Sequence, residues 1–247
     1  LSKVDGHLVP YAFVFGVGNV ELPPPPQITI EQQIYFPEAG ARFPGMVGQV
    51  IVLGAAISSL LIWRGVKRSW INENVEFQKF FHGKFSTITG IGLFAVFASN
   101  ILILIIQTIR LQVSASDVLE TTFGTIWIIR MSITIILLAV WFLLENKNAV
   151  EPKKQLLILG LSLILIGTTT AIGHGAASEQ LSAIIIDYAH NLIASVWIGG
   201  LIFLGFILLP SLAKLDNSKK ELASLLIIPR FSSVITIALG IVIITGP

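Results

Sequence analysis

No cysteine occurs anywhere in the 247 residues, and methionine occurs only as Met46 and Met131. The first absence excludes disulfides, thiolate metal sites and thiol catalysis; the second excludes a thioether-lined path for a soft metal ion. A bound metal would have to rely on His, Asp, Glu or backbone oxygen. Charge is scarce too, with 12% of residues charged, roughly half the share of a soluble domain. The net charge of +2 comes from basic residues scattered between apolar runs, without the basic patch that would bind nucleic acid. What is present is apolar surface: 54% hydrophobic residues and a mean hydropathy of +0.84, the composition of a membrane protein.

A helix needs about 20 largely apolar residues to cross ~30 Å of hydrocarbon. Six stretches are expected to do so: Met46 to Trp63, Phe85 to Ile109, Thr122 to Leu144, Leu156 to Gly173, Leu181 to Leu209 and Phe231 to Gly246. The expected fold class is therefore all-α, a polytopic transmembrane helical bundle of about six helices. Ahead of it, "YAFVFGV" alternates Phe13, Phe15 and Val17 as a half-buried β-strand does, and "ELPPPPQ" reads as a stiff polyproline II linker. The expected layout is a short N-terminal β segment over 1–20, a Pro-rich linker over 21–45 and a membrane domain over 46–247. The chain starts at Leu1 and stops as an apolar segment ends, so it is expected to be a portion of a longer protein.

Basic residues set the orientation. The connections after the first helix (Arg64, Lys67, Arg68, Lys79, Lys84), the third (Lys147, Lys153, Lys154) and the fifth (Lys214, Lys219, Lys220, Arg230) are expected to face the cytoplasm. The second, with Arg110 beside Asp117 and Glu120, and the fourth, with Glu179, are expected to face outward together with the N-terminal segment. In "KRSWINENVEFQKFFHGK", Trp70, Phe77, Phe80 and Phe81 suggest a segment lying along the inner membrane surface, with His82 an interfacial residue of structural role.

Several polar side chains fall where lipid would be expected. His174 ends the fourth apolar stretch at the outer face. His190 lies about nine residues into the fifth, roughly 13 Å along a helix of 1.5 Å rise. Asp187, His190 and Asn191 are spaced i, i+3, i+4 on one face, so Asp187 could orient the imidazole through one nitrogen and leave the other free. Arg130, in the outer half of the third stretch, needs a partner because an isolated charge there costs several kcal/mol, and Asp187 is the expected one. Asn100 and Gln107 add polar groups that either join this site or hydrogen-bond between helices. The convergence of two histidines, an aspartate and an arginine favours a functional site. Neutral imidazole ligates copper, zinc and haem iron alike, which leaves the metal open.

"LSKVDGHLVPYAFVFGV" resembles the final strand of the periplasmic copper-binding CopC domain, an Ig-like β-sandwich. "TTFGTIWIIR", "HNLIASVWIGGL" and "RFSSV" resemble the membrane domain of the copper resistance CopD family. The order of the segments is that of CopC–CopD fusions. The resemblance implies a copper ion as the bound species, with Asp5 and His7 matching copper(II) ligands of the outer domain and His174 and His190 matching positions in the membrane domain. It further implies a plasma-membrane protein that accepts copper on the extracytoplasmic side and imports or transfers it. Two other classes stay open: a haem b electron-transfer protein using the two membrane histidines, and an accessory or copper-loading subunit of a larger membrane copper enzyme such as a monooxygenase. The expected partners are the lipid bilayer and copper, with no nucleic acid. No enzymatic activity is expected, since Ser195 and Ser232 lack a base or nucleophile-elbow context for a hydrolase.

Overall fold

The computed structural model describes residues 35–63, 74–145, 152–171 and 181–245. The N-terminal β segment, the prolines of the linker and the expected ligands Asp5, His7 and His174 lie outside the described residues. Those described are helical apart from short connections: α1 (Phe36–Ser58, continued by a π-helical turn Ser59–Trp63), α2 (Val75–Leu111), α3 (Ala115–Leu119), α4 (Thr122–Glu145), α5 (Pro152–Thr170), α6 (Leu181–Ile202), a π-helical segment Phe203–Leu208, α7 (Leu209–Leu212) and α8 (Asn217–Thr245).

Five of the continuous helical stretches are long and apolar enough to cross a membrane: Phe36–Leu61, Val75–Leu111, Thr122–Leu143, Leu181–Leu212 and Asn217–Ile244. The chain is a multi-pass membrane protein. The sixth expected crossing corresponds to α5, whose apolar part, Gln155–Thr170, is shorter. The 19 residues of α5 reach roughly 28 Å at 1.5 Å per residue, just under the hydrocarbon thickness.

Three helix starts differ from expectation. The first helix opens at Phe36, with Pro37 in its first turn where a missing N–H costs nothing, so residues 36–45 are helical instead of linker. The second opens at Val75, capped by Asn74 Oδ1 accepting from the Phe77 amide at 2.9 Å. Residues 75–84 therefore continue α2 and do not form a separate surface segment. The reason is a stripe at i, i+4, i+8: Phe77, Phe81 and Phe85 stack successively at 6.0 and 6.3 Å and are buried with Phe203, Ile207, Leu212 and Phe231. The last helix opens at Asn217, which puts Pro229 and Arg230 inside it.

Cross-helix contacts fix the packing. Along α1 and α2, Glu38 meets Arg110, Ala41 meets Ser99, and Gly48 meets Gly92, the register of an antiparallel pair. Along α2 and α4, Asn100 meets Arg130 and Ser86 meets Trp141, again antiparallel. Helix α5 runs against α1, with Thr169 on Gln49 and Gln155 on Ser59. Helix α1 is thus central, packed by α2, α5 and α6. Its small residues allow this: a side chain on Gly54 would run into the backbone of Gly199 and Ser195 on α6, and one on Gly199 into Val50 and Gly54. Between helices in lipid, where no hydrophobic force separates lipid tails from side chains, such close backbone approach supplies the attraction. At the far end of α2, Ser114 and Asp117 form a capping box that starts α3, and hydrogen bonds from the Ser114 hydroxyl and amide hold the Asp117 carboxyl below its ordinary pKa.

Gly54→Val should therefore separate α1 from α6 and cost about 1–3 kcal/mol, a fall of roughly 2–12 °C in the thermal midpoint of the detergent-solubilised protein. Gly205→Ala and Gly240→Ala, where an added Cβ meets nothing within 4 Å, are the controls and should leave the midpoint within about a degree. Equal midpoints for all three would refute the close approach.

Candidate functional site

At the end of the bundle where α1 begins, four helices turn polar side chains inward around one guanidinium. Arg130, on α4, is 6% exposed. Its Nε donates to Asn100 Oδ1 on α2 at 2.7 Å, and its Nη1 donates to Thr169 Oγ1 at 2.7 Å and Thr168 Oγ1 at 3.2 Å on α5. The fourth helix is α1. Turned to satisfy both its neighbours, the Gln49 carboxamide accepts from both terminal nitrogens of Arg130 through Oε1 and donates Nε2 to Thr169 Oγ1 at 2.8 Å. The acceptors are oriented in turn: Asn100 Nδ2 donates to Thr134 Oγ1 at 3.2 Å, Thr134 to the Arg130 carbonyl at 2.8 Å, and Thr168 to the Leu165 carbonyl at 2.6 Å.

Arg130 thus differs from expectation. Among the described residues its partners are neutral oxygens, and Asp187 is not within ion-pair distance. The physical reason is helix order: α4 packs against α2 and α5, whereas Asp187 belongs to α6, which packs against α1, α5 and α8. Asn100 does hydrogen-bond between helices and also serves the site. Gln107 is buried, with its Oε1 lacking a hydrogen-bond partner among the described residues.

A second ionic group lies at the same end. Glu38 is buried, its Oε1 accepting from Arg42 Nε at 2.9 Å and Nη2 at 2.7 Å and its Oε2 from Arg110 Nη1 at 2.5 Å. The Arg110 guanidinium also lies 5.2 Å from the centre of the Tyr35 ring. Between this group and Arg130 is a small, partly open cavity of about 50 Å³, room for a few water molecules. Arg42, Arg130, Asn100 and Thr169 form its polar wall; Met46, Ile103, Phe123 and Trp127 close the apolar side. The Trp127 indole is fixed by donating to the Asn100 carbonyl at 2.8 Å.

The helix carrying His190 has a different setting. Asp187, His190 and Asn191 are all half-buried on α6. Helix α6 meets α5 through Tyr188, whose hydroxyl donates to the Leu163 carbonyl at 3.2 Å and whose ring packs over Gly167. The Ser195 hydroxyl bonds back to the Asn191 carbonyl at 2.7 Å. His82, half-buried on α2 in the Phe77–Phe81–Phe85 region, is at the opposite end of the bundle from Glu38. No group of three or more His, Asp or Glu able to hold a metal ion occurs among the described residues.

Sequence reasoning missed Glu38, Arg42, Gln49, Thr168 and Thr169. The signals were an i, i+4 Glu–Arg pair ahead of an apolar run, a lone Gln within that run and three consecutive threonines ending another.

Residues 36–184, more than half of the chain, match the family model described as copper resistance protein D-like, N-terminal domain, and the chain belongs to that family. The match takes in every residue of the Arg130 and Glu38 groups and stops before Asp187, His190 and Asn191. No curated protein and no solved structure matches the chain.

Asn100→Leu should leave the buried guanidinium short of its Nε acceptor and destabilise the protein by about 2–4 kcal/mol, whereas Arg130→Met combined with Asn100→Leu should recover at least half of that loss. Thermal unfolding in detergent reads both. Additive losses would mean that water, not Asn100, solvates Arg130.

Proposed function

We propose that this member of the copper resistance protein D-like family is a copper carrier and not an enzyme, accepting copper on the extracytoplasmic side of the plasma membrane and moving it into or across the bilayer. The observation that carries the reading is the family match over residues 36–184. On this reading copper is cargo, and His174 and His190 bind it in the membrane domain. Asp187 orients the His190 ring and offsets cationic charge, and Asn191 adds a neutral oxygen one residue on. Asp5 and His7 serve copper capture in a CopC-like segment ahead of the bundle.

Three considerations support it. Neutral imidazole binds either oxidation state of copper without adding charge to a low-dielectric site. His174 follows the end of α5 at Thr170 by four residues, and α5 is a packing neighbour of α6, which carries His190. Asp187 stays clear of Arg130, so its carboxylate is available to balance a cation. The described residues alone bring one imidazole and one carboxylate, so the site depends on His174.

Purified protein should hold roughly one copper per chain, and His174→Ala and His190→Ala should each lower that content at least tenfold while the elution profile stays unchanged. A Soret band at these histidines would replace the reading with haem b electron transfer. Full copper content in both variants, with stable co-purification of a membrane copper enzyme, would replace it with a copper-loading subunit.

A further inference from the structure

We propose that the cavity between Arg42 and Arg130 binds one small inorganic anion of the chemical class of chloride. The argument begins from charge. Arg42, Arg110 and Arg130 gather at this end of the bundle, and Glu38 is the one acidic side chain paired with any of them among the described residues. Both Glu38 oxygens are committed, Oε1 to Arg42 and Oε2 to Arg110. Arg130 has only neutral acceptors, which satisfy its N–H groups and leave its charge uncompensated in a low-dielectric bundle.

Arg42 has donor capacity left. It holds Glu38 through Nε and Nη2, and no bond from Nη1 is formed among the described residues. Its side chain is 29% exposed and lines the cavity together with the buried Arg130. An anion in the cavity would lie in the field of both guanidinium groups, and the low-dielectric wall would strengthen both attractions. Size and wall chemistry select the ligand. The small space of about 50 Å³ suits a compact ion. The same field repels copper ions, so this site stands apart from the proposed copper path.

The test uses the full chain in detergent, in a chloride-free gluconate buffer of constant ionic strength, with radiolabelled chloride in equilibrium dialysis and the thermal midpoint as a second readout. Saturable binding of a single chloride, with a rising midpoint, is expected. Arg42→Gln should weaken binding at least tenfold and Arg42→Lys should restore part of it. Met46→Trp, which fills the cavity and keeps every charge, should also weaken binding at least tenfold, which covers the case in which Arg42→Gln fails to fold. Absent or non-saturable binding, or chloride affinity unchanged in Arg42→Gln or Met46→Trp, overturns the proposal. Copper content should be the same in Arg42→Gln as in the parent, so failure here is distinct from failure of the copper reading.

Discussion

A permanently charged guanidinium inside an apolar bundle is the constraint on which the rest of this end of the molecule depends. Arg130 cannot shed its proton in any ordinary range, and lipid offers it nothing. Three helices therefore have to present oxygens to α4 at one depth: Gln49 from α1, Asn100 from α2, and Thr168 and Thr169 from α5. That requirement fixes the register of these helices. Sliding any of them by one turn, 5.4 Å, would carry its oxygen out of reach and leave both partners unsatisfied in a medium that cannot replace them. Apolar ridges alone, formed by many similar Leu and Ile side chains, would tolerate such a slip far better. The glycines of α1 complete the arrangement by letting α2 and α6 approach closely enough for short side chains to reach across.

The amino-acid pattern was most legible where the physics is local. The apolar runs gave the helices, and the depth of Arg130 along its run gave the need for a polar partner. Which partner it finds was not legible, because that depends on which helices are neighbours, and a stretch of Leu, Ile and Val on every side of α4 contains no code for neighbour order. Asp187 was the attractive choice on charge alone. The bundle instead uses Asn100 and the threonines, residues that read individually as ordinary interhelical groups. Their dipoles suffice because several converge, and convergence is a property of packing.

Helix ends are less legible in the sequence for a related reason. Hydropathy ends a helix where charges begin, yet α2 continues through Lys79, His82 and Lys84 because its buried face, Phe77, Phe81 and Phe85, holds it against Phe203 and Phe231. The charged residues sit on the other face, where the Nζ groups of Lys84 and Lys214 rest 5.6 and 5.2 Å from the centre of the Phe80 ring. A period of 3.6 was therefore the better guide than average polarity. The same holds for Glu38 and Arg42, which read as linker and form the first turns of α1. The membrane histidines are the opposite case: their identity was plain, but His174 lies outside the described residues and His190 is separated by helix order from the polar cluster it was expected to join.

Helix order also bears on how a protein of this family can handle a cation while carrying three arginines at one end. The arginines lie on α1, α2 and α4, and Glu38, the one acidic side chain paired with them among the described residues, is fully engaged. His190 and Asp187 lie on α6, across α1 from that cluster, so α1 separates a cationic compartment from one with an imidazole and an available carboxylate. Coulomb energy falls as the inverse of distance and of dielectric constant. An anion held between Arg42 and Arg130 would offset charge inside the cationic compartment itself, on the far side of α1 from His190. On this argument α1 keeps the two sites separate: they share no ligand, and each balances its own charge.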